Sequence, residues 1–409
     1  MDNFDIFWEK RGWETSDIHL NKLKAMPFCR DFPFIPQKNG LYIIRGPRQI
    51  GKSSWLKTIL SQYSKVDAKK CFYFSCENIR DHLDLEQLLK STNTKKLILL
   101  DEISFVRDWS RAIKHYVDQG HPNVLVITGS DAHDLRKGAD RMPGRFGKGG
   151  EFSLLPMDFF EFLKMKKIAG WKLKSKTEEL LRYFKTGGFP PAVAEAGPDA
   201  KKPVYAIETY WKWLSGDFAR RGKQEIYLRE VLSQLALTLG SSISLQGLAA
   251  KTQIGSHHTV QEYLSLLEDS FALRTLYSIE PNTGAYQFKK EKKFYFTDPL
   301  LFWLALDLVN RNDVTDLEPR LAEMCACEFL SRKYSRFGYY GVKKGEIDFF
   351  AKDRWAIEVK WSEVVHNVSE IFKNLKIPHK VIWYKGNFFE DLPAGQNDSR
   401  SGSVKLSLA

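Results

Sequence analysis

A chain of 409 residues is too long for one ordinary core and is expected to divide into two to four domains. Its 43% hydrophobic content, the lack of any near-twenty-residue apolar run and the charged N-terminus MDNFDIFWEKRGW exclude a membrane-spanning helix and a signal peptide, so a cytoplasmic location without a membrane partner is expected. Five scattered cysteines (Cys29, Cys71, Cys76, Cys325, Cys327) suggest neither a disulfide framework nor a zinc site, and a net charge of +12 favours a polyanionic partner, nucleic acid first.

The apolar run Leu41–Ile44 reads as a strand and the segment from Trp55 to Leu60 as a helix. Between them lies Gly46-Pro47-Arg48-Gln49-Ile50-Gly51-Lys52-Ser53-Ser54, a G-x-x-x-x-G-K-S phosphate-binding loop in the strand–turn–helix context that gives the pattern its meaning. Glycines at 46 and 51 let consecutive N–H groups face one anion, and the helix N-terminus adds its dipole. Lys52 would reach the β- and γ-phosphates of ATP, and the Ser53 hydroxyl would ligate Mg²⁺. A second buried strand, Leu97–Leu100, runs into Asp101 and Glu102. Carboxylates at the carboxyl end of a parallel strand lie where such sheets bind ligands, so Asp101 is expected to hold Mg²⁺ and Glu102 to polarise the attacking water. A third strand, Val124–Ile127, ends in Thr128-Gly129-Ser130, and Ser130 is the hydroxyl expected beside the γ-phosphate. The loop from Arg136 to Phe146 then offers Arg141 and Arg145 as arginine fingers, acting within the chain or across the subunits of a homo-oligomer formed through the ATPase domain.

The segments GPRQIGKSS, LILLDEIS, ITGSD, the GRFG turn, LLPMDFFEF and TGGFP, taken in order, resemble a prokaryotic P-loop ATPase family related to the AAA+ proteins, with a C-terminal region of unknown function. The resemblance implies an ATPase domain over 1–155 followed by a small helical lid over 156–224.

Helical spacing over Leu228–Leu239 and Leu245–Lys251, then a turn with Gly255, then a helix starting at the N-cap Ser256, is helix-turn-helix anatomy. Val260, Tyr263, Leu264 and Leu267 make the buried stripe of the second helix, leaving Ser256, His257, His258 and Gln261 for a DNA groove. Leu273–Ile279 and Lys292–Phe296 are expected as a two-stranded wing carrying Lys289, Lys290, Lys292 and Lys293 towards phosphates, which makes 225–300 a winged-helix domain. Winged helices also serve as protein-contact modules, so DNA is the first partner and protein the second.

Near the C-terminus, Glu346–Ala351 and Trp355–Lys360 alternate as strands around the turn Lys352-Asp353-Arg354. Such a hairpin pairs Ala351 with Trp355 and therefore Asp348 with Glu358, with Ile347, Phe349, Ile357 and Val359 on the other face. Two opposed carboxylates repel and ask for a divalent cation, and Lys360 would position a nucleophilic water. This D…E-x-K pattern resembles the PD-(D/E)XK nuclease superfamily, including the archaeal Holliday-junction resolvase and restriction-enzyme core. The resemblance implies one more acidic residue from a preceding helix; Glu323 fits the spacing better and Glu328 is the alternative. Residues 301–390 are then a nuclease-like domain, and 391–409, without periodic apolar residues, a disordered tail.

The expected fold class is thus α/β: a parallel-sheet P-loop ATPase with a helical lid, a winged helix-turn-helix and an α/β PD-(D/E)XK nuclease-like domain. The expected function is an ATP-dependent DNA-processing enzyme with ATP and Mg²⁺ as cofactors, cleaving branched or repair-intermediate DNA with Asp348, Glu358, Lys360 and Glu323. A nucleotide-dependent switch or scaffold, with a degenerate nuclease domain and a role in defence, is the alternative.

Overall fold

The computed structural model describes residues 7–30, 32, 34–120, 123–129, 132–140, 142–309, 316–342, 345–365 and 368–390, with the backbone alone at 132 and 133. Ser130, Arg141 and the tail 391–409 lie outside the described residues. The chain divides into two compact units, one built on residues 1–156 with 165–170, the other on 157–164 with 171–401.

The first unit runs α1 (Ile18–Ala25), β1 (Gly40–Arg45), α2 (Lys52–Asp67), β2 (Cys71–Ser75), α3 (His82–Thr92), β3 (Leu97–Asp101), α4 (Trp109–Asp118), β4 (Val124–Thr128), α5 (Ala132–Asp140) and β5 (Gly150–Ser153). Its five strands form one all-parallel sheet in the order β2-β3-β4-β1-β5. The inner strands β3 and β4 are buried along their whole length and β1 up to its last residue, which is why they read as continuous apolar runs. Parallel neighbours need crossover helices, and α2 covers the sheet with Trp55, Leu56, Ile59 and Leu60.

The second unit begins at Met157, just before α6 (Phe159–Ile168), whose last turn is assigned to the first. It continues through α7 (Lys176–Thr186), α8 (Pro190–Ala196), α9 (Val204–Arg220), α10 (Glu225–Leu237), β6 (Ser242–Ile243), α11 (Leu245–Ala250), α12 (His257–Asp269), β7 (Leu273–Tyr277) and β8 (Lys292–Phe296). The strands β6-β8-β7 form a small antiparallel sheet. Ser256 caps α12 by accepting from His258 N, and Val260, Tyr263, Leu264 and Leu267 are all buried, as the spacing requires. The hairpin, however, is no free wing. Ile279 N donates to Tyr339 O at 2.8 Å, and Ile279 is buried with Ile347, Phe350, Ala356 and Phe372.

Of those last four residues, Ile347, Phe350 and Ala356 belong to the C-terminal sheet and Phe372 to the helix beside it. After α13 (Pro299–Asp307) and α14 (Leu317–Lys333) come β9 (Gly338–Val342), β10 (Gly345–Ala351), β11 (Trp355–Val359), α15 (Glu370–Asn374) and β12 (His379–Trp383). The sheet order is β12-β11-β10-β9, with β11 and β12 parallel and the other pairs antiparallel. Segments that the sequence assigned to a winged helix and to a nuclease-like domain therefore share one core.

No helix among the described residues is long and apolar enough to cross a membrane.

Candidate functional site

The phosphate loop connects β1 to α2 as its sequence demands. Gly51 is the N-cap of α2 with φ 97° and ψ 22°, a left-handed conformation that glycine adopts without a Cβ penalty. Gln49, exposed at the loop's tip, also has a positive φ of 60°. Gly46, Pro47 and Ile50 are buried, Arg48 is half-buried, and Ser53 and Ser54 stand half-buried in the first turn of α2. Lys52 is buried, and its Nζ donates to the Gly46 and Pro47 carbonyls at 2.9 and 2.8 Å. The loop's own backbone thus places the ammonium at its centre.

Asp101 is 3% exposed at the end of β3. Strand β4 lies between β3 and β1, so its last residue, Thr128, stands beside both Ile44 and Asp101. The Thr128 hydroxyl donates to Asp101 Oδ1, and the Tyr73 hydroxyl from β2 donates to Asp101 Oδ2 at 3.1 Å. Burial raises the Tyr73 phenol, and the Asp101 carboxylate adds to that, so the phenol remains a donor. Three strands therefore fix one carboxylate. Lys57 of α2 lies 3.9 Å from the Tyr73 ring centre and pairs with Asp17 at 3.0 Å, which ties the N-terminal segment into the same network. Glu102 follows Asp101 with a φ of 53°, an uncommon backbone conformation for a non-glycine residue and one often found at functional sites. Oxygen donors on Ser53 and Asp101 suit Mg²⁺, which prefers one or two carboxylates plus phosphate oxygens.

Tyr73 was not legible as a site residue, because a tyrosine in an apolar strand carries no local signal. Thr128 was legible only as a neighbour of Ser130.

Arg145 is a correction. Its Nε donates to Asp118 Oδ1 at 2.6 Å, and the adjoining Phe146 carbonyl accepts from Leu41 N, the second residue of β1. β1 spans six residues before the loop, which puts Arg145 about 15–20 Å from the phosphates. It cannot serve as a finger for its own chain.

In the second unit, Ala351 pairs with Trp355 and Phe349 with Ile357, the register expected for the hairpin. The alternation of faces does not hold through β10. Its pairing with β9 shifts between Ile347 and Phe350, and these two residues, three apart, pack in the same cluster. Such a bulge lets Asp348 leave the regular face. Its Oδ2 accepts from Val359 N at 2.8 Å, while Oδ1 lies 3.9 Å from Lys293 Nζ. Glu358, 1% exposed, instead accepts from the Ser369 hydroxyl at the N-cap of α15, and its Oε2 is 3.3 Å from Lys360 Nζ. Glu323 lies beside Asp348: its Oε1 accepts from Lys293 at 2.8 Å and from the Tyr295 hydroxyl at 2.6 Å. Glu328 belongs elsewhere, bound by Arg274 at 2.8 Å and Arg332 at 3.0 Å.

Lys293 is the second correction. It is no phosphate-facing wing lysine but is 1% exposed, paired with Glu323 and Glu346 and near Asp348. Among the described residues, no group of three or more His, Cys, Asp or Glu side chains is arranged to hold a metal ion. Asp348 and Glu358 are engaged by different partners, Val359 N and the Ser369 hydroxyl, and do not converge on one ion as the side chains stand.

Burial pushes Asp348 up to about 7, reinforced by Glu323 and opposed by Lys293, Val359 N–H and Lys360. Burial also pushes Asp298, the N-cap of α13, up to about 7, against the opposing effect of the Leu300 and Gly188 N–H groups and Arg332 and with that of Glu328. The unfolded value is about 3.9. Between pH ~4 and ~7 the unfolded chain gives up protons that the folded chain keeps, so stability falls as pH rises through this window and levels above it. Thermal unfolding should show a higher Tm at pH 5 than at pH 8. Asp298→Asn should make the slope shallower; a Tm rising across that window would contradict the assignment.

Residues 38–163 match a family model described as an AAA domain, and residues 177–312 match one described only as a domain of unknown function. An uncharacterized protein of Haemophilus influenzae is 26% identical over 396 residues, covering 90% of this chain and 93% of that protein. One from Methanocaldococcus jannaschii is 29% identical over 156 residues, covering 35% of this chain and 31% of its own. Solved structures similar to this chain include a Walker-type ATPase of Pyrococcus abyssi, at 13% identity and a TM-score of 0.43 over 72% of this chain and 95% of that one. The ORC1 protein of Aeropyrum pernix in complex with DNA is another, at 13% identity and a TM-score of 0.36 over 74% and 96%. The loop on β1, the carboxylate on β3 and the family match coincide: residues 38–163 are an AAA-type P-loop ATPase domain.

Proposed function

We propose that this chain is an ATP-hydrolysing protein whose nucleotide state controls a DNA-binding C-terminal region that does not cut its substrate. The observation that carries the ATPase half is Asp101, held by Thr128 and Tyr73 beside the phosphate loop. Lys52 holds the β- and γ-phosphates, the N-terminus of α2 faces them, and Glu102 orients the attacking water. Ser53 and Asp101 would hold Mg²⁺, which would supply charge neutralisation at the phosphates. An arginine finger, if one is used, comes from another subunit or from outside the described residues.

The DNA half rests on the net charge of +12 and on what the second unit exposes. His258 and Gln261 stand exposed on α12, and Phe288, 64% exposed, is followed by exposed Lys289 and Lys290. An exposed aromatic beside lysines offers a base a stacking partner and its phosphates a counter-charge. Affinity for duplex or single-stranded DNA should fall roughly tenfold or more as salt rises from about 50 to 200 mM, and Lys289→Ala with Lys290→Ala should flatten that dependence. A flat response in the unmodified protein would sink the DNA reading.

A second reading, a metal-dependent nuclease, is favoured by the order α14-β9-β10-β11-α15-β12 with Asp348 and Glu358 on adjacent strands. Assays with Mg²⁺ or Mn²⁺ on linear, single-stranded and four-way-junction DNA decide between them. Cleavage that Asp348→Ala with Glu358→Ala abolishes would establish the second reading.

A further inference from the structure

We infer that Lys293 is the resident cation of the C-terminal carboxylate cluster and occupies the place a divalent metal would need. The inference rests on the reading of this region as nuclease-like and non-cleaving, and it names the side chain responsible.

Strand β8 directs Lys293 and Tyr295, two residues apart, to the same side. Both reach Glu323 Oε1, at 2.8 and 2.6 Å. The same ammonium pairs with Glu346 and lies 3.9 Å from Asp348 Oδ1, so one cation from β8 joins carboxylates of α14 and β10. A lysine that is 1% exposed is tolerable only when its charge is met, and here three carboxylates meet it. Burial acts to lower its pKa, but Glu323, Asp348 and Glu346 outweigh burial and raise it, so the ammonium stays charged.

A magnesium ion binds oxygen at about 2.0–2.1 Å in near-octahedral geometry. Lys293 Nζ is 2.8 Å from Glu323 Oε1 and 3.9 Å from Asp348 Oδ1, so an ion bound to both oxygens would lie within about 5 Å of the ammonium and face its full positive charge. The remaining motif acid is no easier to recruit. Glu358 is held by Ser369 and Lys360, so the two motif carboxylates are met by different lysines. The lysine also has a distinctive origin: it comes from the hairpin that follows the helix-turn-helix segment, not from the D…E-x-K hairpin itself.

Mn²⁺ titration of the nucleotide-free full chain, followed by electron paramagnetic resonance, tests this. The unmodified protein should show no Mn²⁺ binding that depends on Asp348. Lys293→Met should gain Mn²⁺ affinity by roughly tenfold or more, and adding Asp348→Asn should remove the gain. Because Lys293→Met leaves buried carboxylates unpaired, Lys293→Met with Glu346→Gln, which neutralises a carboxylate paired with Lys293 but keeps Glu323 and Asp348, is made in parallel to restore folding, checked by circular dichroism. Mn²⁺ bound by the unmodified protein and lost in Asp348→Asn would overturn the inference, and that arm needs no Lys293 variant. A folded Lys293 variant that gains no Mn²⁺ would overturn it too. Either failure leaves salt-dependent DNA binding standing, whereas a flat salt response removes the DNA reading without touching the Mn²⁺ result.

Discussion

Lys52→Ala is expected to lower ATP turnover by at least about 10²–10³-fold, since it removes a preorganised charge aimed at the phosphates in a partly dehydrated loop. The fold should survive, because Lys52 makes its hydrogen bonds to two backbone carbonyls, Gly46 and Pro47, on the loop itself. Phosphate release at saturating ATP measures the effect, and an unchanged melting temperature separates lost chemistry from lost structure. Turnover that persists in a folded Lys52→Ala protein would refute the assignment of the site. Thr128 and Tyr73 predict a graded outcome around this maximum, since each orients Asp101 without touching phosphate.

Gly188→Ala should destabilise the second unit by about 3 kcal/mol or more, a fall in Tm of roughly 6–12 °C. A Cβ at Gly188 would stand 1.8 Å from the Met157 carbonyl oxygen. That contact is backbone against backbone, so no side chain can swing aside. The same residue donates its N–H to Asp298 at 2.7 Å and accepts from Met157 N at 2.9 Å, so moving it breaks both bonds. Gly216 is the control: it lies inside α9 with nothing within 4 Å of a Cβ, and Gly216→Ala should be neutral or stabilise by about 0.5–1 kcal/mol. Equal melting of the Gly188→Ala and unmodified proteins would show that the close approach of Gly188 to Met157 and Asp298 does not hold the second unit together.

The role of that turn shows how far local sequence reaches. T-G-G-F-P could be seen as a motif, but its reason lies in Asp298, 110 residues away in sequence and aimed at Gly188 N. The hairpin register at Ala351 and Trp355 was legible, because a three-residue turn leaves one way to pair. The bulge at β10 was not, because it depends on pairing with β9 and on where Ile347 finds a core. Lysines near 290 read as one basic patch, yet Lys289 and Lys290 are exposed while Lys293 is buried among carboxylates.

The chain by itself determined the phosphate loop, the buried parallel strands and the helix that Ser256 caps. Each rests on interactions within a few residues or on a periodicity that local geometry imposes. Only the tertiary structure decided which groups meet across elements: Thr128 and Tyr73 at Asp101, Arg145 at the far end of β1, and Lys293 among Glu323, Glu346 and Asp348. A charged side chain has the same local pattern whether water or a buried carboxylate meets its charge. Desolvation and pairing separate the two, and both depend on segments distant in sequence.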